Sequence, residues 1–224
     1  MTNVTKSDKL STTIEDYLSL IFVLERDNQP VVGVQIAELL GVTPPTVTNT
    51  LKRMVRDKLI VMDKKGTRLT KAGRESAQTV MRRHMLMEWM MIKSLPWSKL
   101  HQEAHKLEHA ISAEAEAALF EELGRPKTCP HGNPLPGEEA AAASWAALTD
   151  VRANKNVIVR RIHELAEQNP ELMAFFEDKK IMPGREVKVT EVLPHNQTIT
   201  LKVAKQTVVL GFASAQYVYV ESSV

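Results

Sequence analysis

Six side chains of the kinds that bind transition metals lie within a segment of 26 residues, at helical spacing. They are His84, Glu88, His101, His105, Glu108 and His109. The first two are four residues apart, so both side chains leave the same face of a helix. The other four recur at steps of four, three and one, which places them on one stripe of a second helix. Two such stripes facing each other would form a site rich in nitrogen and oxygen for a divalent transition metal.

Two other interpretations of this segment remain open. A histidine on an apolar helix is often a packed core residue, although four of the seven histidines of the chain fall in this segment. The stretch from His101 to His105 also resembles a zinc-protease helix. That motif needs a glutamate directly after the first histidine to act as the general base, and Gln102 stands there. A metal-dependent hydrolase is therefore the weaker alternative, and we expect no catalytic residue and no enzymatic activity.

Charge and apolar content limit the partners of the chain. Residues 43–74 carry nine Lys and Arg against two Asp, whereas residues 100–123 carry six Glu against one Lys. One basic and one acidic segment give the protein a preferred face for a polyanion. No apolar run approaches the roughly 18 residues that span a membrane, and residues 1–10 lack the apolar core of a signal peptide. We expect a cytoplasmic protein without a membrane partner. Cys129 is the only cysteine, so one chain can form neither a disulfide nor a thiolate cluster.

The basic segment follows the plan of a winged helix-turn-helix. A helix begins after the capping residues 11–13 and ends before the turn formers 27–30. A short helix over 33–40 gives way at Gly41 to a helix over 45–57, with Thr43 as its N-cap. Strands over 59–62 and 67–70, joined by a tight turn, complete the plan. The sequence therefore predicts a DNA-binding head.

The outer face of the third helix carries the candidate DNA-binding side chains. We place four of them near base edges in a major groove and two arginines near phosphates. The full candidate set is Thr43, Pro45, Thr46, Thr48, Asn49, Arg53, Arg56 and, in the wing, Lys65. Asparagine can pair with adenine through two hydrogen bonds, and apolar groups can contact thymine methyls. The alternative is a solvated basic helix in a domain that binds protein.

The remainder of the chain predicts helices and then strands. Amphipathic helices are expected over 71–93 and 98–123, an ordered turn-rich loop over 128–137, and a short helix or linker over 138–148. Five short strands after residue 151 suggest a small barrel, and His163 and His195 are expected at its surface. The apolar positions of the two helices exceed what the pair can bury, which favours a second subunit. The fold class is α+β multidomain, with domains at 1–75, 76–148 and 149–224.

These residues resemble the DtxR/MntR family of metal-dependent transcriptional repressors in its long, three-domain form. The segments that carry the resemblance are TTIEDYL (12–18), VTPPTVTNTLKRMVRDKL (42–59), LTKAGR (69–74), MRRHMLMEW (81–89), KLHQEAHKLEHAIS (99–112) and HGNPLPG (131–137). The resemblance implies a winged-helix head, an all-helical dimerisation and metal-binding domain and a C-terminal SH3-like domain of the FeoA type. It also implies a homodimer.

The resemblance also implies two metal sites. One corresponds to Asp16, His105, Glu108 and His109, and the other to His84, Glu88 and His101. In iron-type members the SH3-like domain adds a Glu and a Gln to the second site, for which the nearest candidate here is Glu171.

The chain departs from the family pattern at three positions. Iron-responsive members have methionine where Asp16 stands and cysteine where His105 stands. Manganese-responsive members share the aspartate but usually have glutamate at the second position, and some use a glutamate where Ser19 stands.

Hard oxygen ligands and the lack of a sulfur ligand favour Mn²⁺ as the cofactor, with Fe²⁺ as the alternative. The histidines would also bind Zn²⁺ or Co²⁺ in vitro. We therefore expect a homodimer that binds a palindromic double-stranded operator when loaded with metal and represses metal-uptake genes. A metal-independent winged-helix regulator that senses a small molecule is the remaining alternative, and in it the histidines would serve packing.

Overall fold

The computed structural model of the chain describes residues 10–64 and 66–223. The chain divides into two compact units, Met1–Met81 and Arg82–Val224. We call them the N-terminal and C-terminal units. The boundary falls inside a helix and differs from the predicted one after residue 75. The division into three domains remains a prediction from the sequence.

The N-terminal unit begins with three helices. They are α1 (Thr12–Arg26), α2 (Gly33–Leu40) and α3 (Pro44–Arg56). α2 ends at Gly41, whose φ of 63° is the left-handed conformation that glycine adopts at little cost. Thr43 then caps α3 by accepting a hydrogen bond from the Thr46 amide at 3.4 Å. The two prolines that follow lie in the first turn, where backbone N–H groups have no helical partner.

A hairpin completes the N-terminal unit. Its strands, β1 (Ile60–Asp63) and β2 (Gly66–Leu69), pair antiparallel with Ile60 opposite Leu69. The carboxylate of Glu25 on α1 accepts a hydrogen bond from the Leu69 amide at 2.8 Å, which fixes the hairpin against the helices. Three helices followed by this hairpin confirm the predicted winged helix-turn-helix.

Three helices lead into the C-terminal unit: α4 (Lys71–Met91), α5 (Leu100–Leu107) and α6 (Ala113–Glu122). The predicted single helix over 98–123 is wrong, because the chain turns between α5 and α6. Ser112 causes the restart, since its hydroxyl accepts a hydrogen bond from the Ala115 amide at 3.2 Å and caps α6. Among the described residues, no helix is both long enough and apolar enough to cross a membrane.

The turn-rich loop over 128–137 is ordered and largely buried, as predicted. We call it the buried loop. The indoles of Trp89 and Trp97 donate hydrogen bonds to the carbonyls of Thr128 and Pro130 at 2.6 and 3.0 Å. On its other side, the His131 carbonyl accepts a hydrogen bond from the Ile162 amide at 2.8 Å. The buried loop therefore connects the helical segment to the strands that follow.

The rest of the C-terminal unit is a six-stranded antiparallel sheet with strand order β3-β8-β4-β5-β6-β7. The strands are β3 (Ala146–Ala147), β4 (Lys155–Ile162), β5 (Glu186–Leu193), β6 (Thr198–Val203), β7 (Gln206–Gly211) and β8 (Val218–Ser222). Three short helices accompany them: α7 (Glu164–Glu167), α8 (Pro170–Asp178) and α9 (Phe212–Ala215). The five predicted strands are confirmed. Residues 138–148 form a 3₁₀ turn and β3, where we expected a short helix or a linker.

His163 does not lie at the surface, as the sequence suggested. It is buried and caps α7, because its Nδ1 accepts a hydrogen bond from the Leu165 amide at 3.1 Å. His195 is exposed, as expected.

The sheet and the helical segment share one core. Trp97 and Leu100 pack in the same cluster as strand residues such as Val159 and Val189 and as Phe176 of α8. The carboxylate of Glu177 on α8 accepts hydrogen bonds from the amides of Trp97 and Ser98 at 3.0 and 3.2 Å. A continuous apolar core explains why residues 82–223 behave as one unit.

Replacement of Glu177 by alanine should lower the free energy of unfolding by about 1–2 kcal/mol, because two amides at a helix start lose their acceptor. Thermal and urea unfolding of the metal-free protein would measure the loss. Glu171→Ala on the exposed face of the same helix is the matched control and should change stability by less than about 0.5 kcal/mol. Equal stability of Glu177→Ala and the parent protein would contradict the capping role.

Candidate metal centre

Four side chains of the C-terminal unit bring their nitrogen and oxygen atoms to one point. His84 and Glu88 come from α4, His101 from α5 and Glu167 from α7. One potential ligand atom from each lies within 4.8 Å of the others. The Nδ1 atom of His101 is 2.9 Å from Oε2 of Glu167, and Nε2 of His84 is 3.3 Å from Oε1 of Glu88. We call these four residues the His84 group.

The His84 group is buried and its polar atoms are incompletely paired. His84, Glu88 and Glu167 are all buried, and His101 is half-buried. Nε2 of His84, Nδ1 of His101 and both carboxylate oxygens of Glu88 form no hydrogen bond of good geometry with the described residues. Buried polar atoms without partners are costly, and two imidazole nitrogens with two carboxylates are a common ligand set for divalent metals. The residues therefore fit a divalent cation.

The electrostatics of the group also favour a cation. Burial raises the pKa of Glu88, but the charges and contacts of His131 and His84 outweigh burial and lower the pKa well below its usual range. Burial likewise opposes protonation of His84, but its contacts with Glu108 and Glu88 raise the pKa of that imidazole well above its usual value. Without a metal, the protein thus uses protonated histidine to compensate its buried carboxylates.

Glu167, and not Glu171, is the carboxylate that the C-terminal part of the chain brings to this group. Glu171 lies in the first turn of α8 and is exposed. We expected Glu171 as the ligand, but α7 ends before it and brings Glu167 to within 2.9 Å of His101. The signal that could have identified Glu167 is the capped turn His163–Glu167 directly after a predicted strand, with two glutamates on one helical turn. Gln168, the next polar side chain, is exposed.

A second cluster lies at the end of α5. Oε1 of Glu108 is 3.1 Å from Nδ1 of His105 and 3.3 Å from Nε2 of His109. We call these three residues the His105 group. The helix ends at Leu107, so Glu108 and His109 occupy the turn between α5 and α6 instead of continuing the predicted stripe. Asp16, predicted to share this site, lies on α1 in the N-terminal unit and is half-buried.

His84 links the two clusters. Its Nδ1 is 2.5 Å from Oε2 of Glu108, while its Nε2 faces Glu88. Burial raises the pKa of Glu108, but the hydrogen bonds from His105 and His84 lower it to about 2. The Glu108 carboxylate is therefore ionised at neutral pH and available as a metal ligand.

Two residues of the buried loop contact the candidate metal ligands, and neither was predicted from the sequence to do so. Nδ1 of His131 lies 3.1 Å from Oε1 of Glu88, and Asn133 donates a hydrogen bond to Oε1 of Glu167 at 2.6 Å. Burial lowers the pKa of His131, but the charges of Glu167 and Glu88 outweigh it and raise the pKa to about 9. No sequence pattern predicted this contact, which depends on how the loop folds.

Cys129 is a packed thiol of the buried loop. Burial and the nearby carboxylates of Glu88 and Glu167 raise the pKa of its thiol well above the usual value. Its sulfur accepts a hydrogen bond from the His131 amide at 3.3 Å. In the metal-free protein the thiol is therefore protonated, and its sulfur lies within 4.8 Å of ligand atoms of Glu88 and His131.

The candidate DNA-binding residues lie together on one surface of the N-terminal unit. All seven that belong to α3 and its N-cap are exposed: Thr43, Pro45, Thr46, Thr48, Asn49, Arg53 and Arg56. The opposite face of α3 buries Val47, Leu51 and Met54. Lys65, the candidate in the wing, lies outside the described residues.

The geometry gives no support to hydrolytic chemistry in the His101–His105 stretch. Gln102 is exposed, and the carboxylate of Glu103 forms an ion pair with Lys106 at 2.6 Å. The motif therefore lacks the general base that a zinc protease places after its first histidine.

Three consecutive segments of the chain each match a model of a known protein family. The model for the iron dependent repressor N-terminal DNA binding domain matches residues 9–67. The model for the metal binding and dimerisation domain of the same repressors matches residues 70–137, and the FeoA domain model matches residues 146–222.

Relatives and solved structures agree with these models. The iron-dependent repressor IdeR of Mycobacterium leprae is 34% identical over 226 residues, which cover 95% of this chain and 98% of the relative. The diphtheria toxin repressor of Corynebacterium diphtheriae is 33% identical over 204 residues, or 84% of this chain and 90% of the relative. A manganese-dependent transcriptional repressor in complex with manganese superposes with a TM-score of 0.83 at 27% identity, covering 94% of this chain and all of that one.

These similarities run the length of the chain and join a winged-helix head, a helical metal-binding segment and a C-terminal SH3-like FeoA domain. The chain belongs to the DtxR/MntR family of metal-dependent transcriptional repressors, which are not enzymes.

Proposed function

We propose that this protein is a homodimeric repressor that binds a palindromic operator when it is loaded with Mn²⁺ and thereby represses genes of metal uptake. The observation that carries the proposal is the pair of nitrogen- and oxygen-rich groups joined through His84. The full set of proposed ligands is Asp16, His105, Glu108 and His109 at one site, and His84, Glu88, His101 and Glu167 at the other.

The ligand chemistry supports manganese over softer metals. Asp16, Glu88, Glu108 and Glu167 are hard oxygen ligands, and the buried Cys129 thiol is held in its protonated form. Imidazole nitrogens raise affinity for Fe²⁺, Co²⁺ and Zn²⁺ in the usual order, so metal availability in the cell would decide the response. Iron is the second candidate, because a relative that is 34% identical is named an iron-dependent repressor.

The exposed face of α3 supports DNA recognition. Thr46 lies in the first turn of α3 and Asn49 in the second, near the end that enters a major groove in helix-turn-helix proteins. Arg53 and Arg56 in the last turn are exposed and would contact phosphates. In a dimer, two such helices about 34 Å apart would read a palindrome of one DNA turn.

Coupling of metal to DNA would run through Asp16. The carboxylate of Asp16 belongs to the N-terminal unit, whereas His105, Glu108 and His109 belong to the C-terminal unit. A divalent cation would supply the positive charge that lets the Asp16 and Glu108 carboxylates share one site. Binding of the cation by these ligands would therefore link metal binding to DNA binding.

Linkage sets the size of this coupling. Metal can strengthen DNA binding only if the metal binds more tightly to the conformation that binds DNA than to the one that does not. DNA must then strengthen metal binding by the same factor. A coupling of about 1–3 kcal/mol, or roughly 5–150-fold in affinity, is typical of such systems.

The proposal is tested by measuring the affinity for operator-length DNA by fluorescence anisotropy during titration with Mn²⁺, anaerobic Fe²⁺ or Zn²⁺, against a chelated sample. We expect affinity to rise by roughly 5–150-fold with Mn²⁺ and to fall back when chelator is added. Asp16→Ala should lose this response and keep its fold, whereas Thr13→Ala, exposed on the same helix, should keep it. A full metal response in Asp16→Ala, or equal DNA binding in chelator, would refute the mechanism.

The structure supports a homodimer through apolar side chains of the helical segment. Met90 on α4 and Leu107 on α5 are 48% and 41% exposed, and α6 buries no residue within one chain. Such exposed apolar groups on neighbouring helices favour a second subunit.

Leu107→Asp should shift the protein toward monomer, because a charge at a buried subunit contact loses its water without gaining a partner. Analytical ultracentrifugation over a range of concentrations would measure the dissociation constant. Val209→Asp is the matched control, since Val209 is similarly exposed on the C-terminal sheet. The dimer surface is assigned incorrectly if Leu107→Asp dimerises as tightly as Val209→Asp.

Glu167→Ala should weaken metal binding at the His84 group by about 10-fold or more, since the site loses a buried carboxylate ligand. Glu171→Ala provides the comparison, because it removes the same charge from the exposed face of the next helix. Isothermal titration calorimetry with Mn²⁺ would separate the two variants. Loss of affinity in Glu171→Ala alone would identify Glu171, and not Glu167, as the ligand.

A further inference from the structure

The buried loop contacts both carboxylates of the His84 group. Two of its side chains do so, His131 and Asn133, and both are fully buried. Between them stands Gly132, with a φ of 89° and a backbone so close to β4 that an added Cβ would lie 2.0 Å from the Arg160 carbonyl oxygen. Only glycine fits there, so the positions of His131 and Asn133 are fixed by backbone contacts and not by the side chains they touch.

One carboxylate oxygen of Glu167 contacts the buried loop, and the other faces the proposed metal position. Oε1 accepts the hydrogen bond from Asn133 at 2.6 Å, while Oε2 faces Nδ1 of His101 at 2.9 Å. The amide of Asn133 also donates to the Ile162 carbonyl at 2.8 Å, which holds it in this orientation. A carboxylate with one oxygen fixed presents the other in a defined direction.

His131 lies beside both buried carboxylates. Its Nδ1 lies 3.1 Å from Oε1 of Glu88 and 3.5 Å from Oε1 of Glu167. Its Nε2 lies 3.1 Å from the Trp97 carbonyl oxygen, an atom that can only accept. The imidazole is therefore anchored at one end to the helical segment and directed at both carboxylates at the other.

We propose that His131 and Asn133 are positioning residues for the metal ligands Glu88 and Glu167, and that they set the affinity of the His84 group for a divalent cation. Hydrogen bonds behind the ligands are known to contribute about 10–100-fold to metal affinity. The inference rests on the proposed function of the His84 group as a metal site. It assigns a role to two side chains of the buried loop, His131 and Asn133.

The test is a Co²⁺ titration in the full-length protein carrying His109→Ala, which leaves the His84 group as the intact site. The absorption bands of bound Co²⁺ report ligand geometry, and thermal unfolding of the metal-free protein reports stability. We expect Asn133→Ala to weaken Co²⁺ binding by about 10–100-fold and to change the absorption bands. His131→Gln, which retains an N–H donor, should lose less affinity than His131→Leu.

Thr128→Ala is the control within the same loop, because Thr128 contacts Trp89 through its backbone carbonyl. It should bind Co²⁺ within about two-fold of the parent. If Asn133→Ala does not fold, the comparison of His131→Gln with His131→Leu still tests whether the loop sets Co²⁺ affinity. Equal affinity in these two variants and the parent would contradict the inference.

Two results would overturn the inference in different ways. Binding within about two-fold of the parent and unchanged spectra in Asn133→Ala and His131→Leu, while Glu167→Ala loses affinity, would leave the metal site intact and refute the role of the loop. Unchanged binding in Glu167→Ala as well would show that the His84 group is not the site, and the proposed function of that group would fail with the inference.

Discussion

Burial of three carboxylates among histidines is the constraint on which the rest of the C-terminal unit depends. Glu88, Glu167 and Glu108 are 0%, 2% and 4% exposed. Removing an ion from water costs several kcal/mol even after the protein relaxes, so each carboxylate must be compensated. The imidazoles of His84, His101 and His131 provide that compensation in the metal-free protein. A fold that gathers these carboxylates and imidazoles is well suited to binding a cation.

This constraint also explains why the helical segment and the sheet form one unit. Glu167 follows β4 on a short helix, whereas its partners His84, Glu88 and His101 lie on α4 and α5. The shared core around Trp97 and the buried loop hold these elements together, and the proposed ligands lie where the elements meet. Metal binding at the His84 group would therefore stabilise the contact between helices and sheet, because a ligand that binds only the folded arrangement favours it by mass action.

Much of the architecture could be predicted from the sequence, because local signals agree with it. Capping by Thr43, the glycine at 41 and the alternation of the later strands each mark an element that the structure contains. Where predictions from the sequence are wrong or incomplete, the cause is packing between segments that are distant in the sequence. The break after α5 depends on Glu108 turning toward His84 and on the Ser112 cap, and Glu167 is recruited only by packing between distant segments. His131 and Asn133 act across a loop whose path no periodicity describes.

The most direct measurement of the central claim is anomalous X-ray diffraction from crystals of the full-length protein grown with Mn²⁺, recorded on both sides of the manganese absorption edge. We expect an anomalous peak among His84, Glu88, His101 and Glu167, and a second beside Glu108 with His105 and His109. Peaks confined to exposed acidic residues such as Glu171, with none at the His84 group, would contradict it.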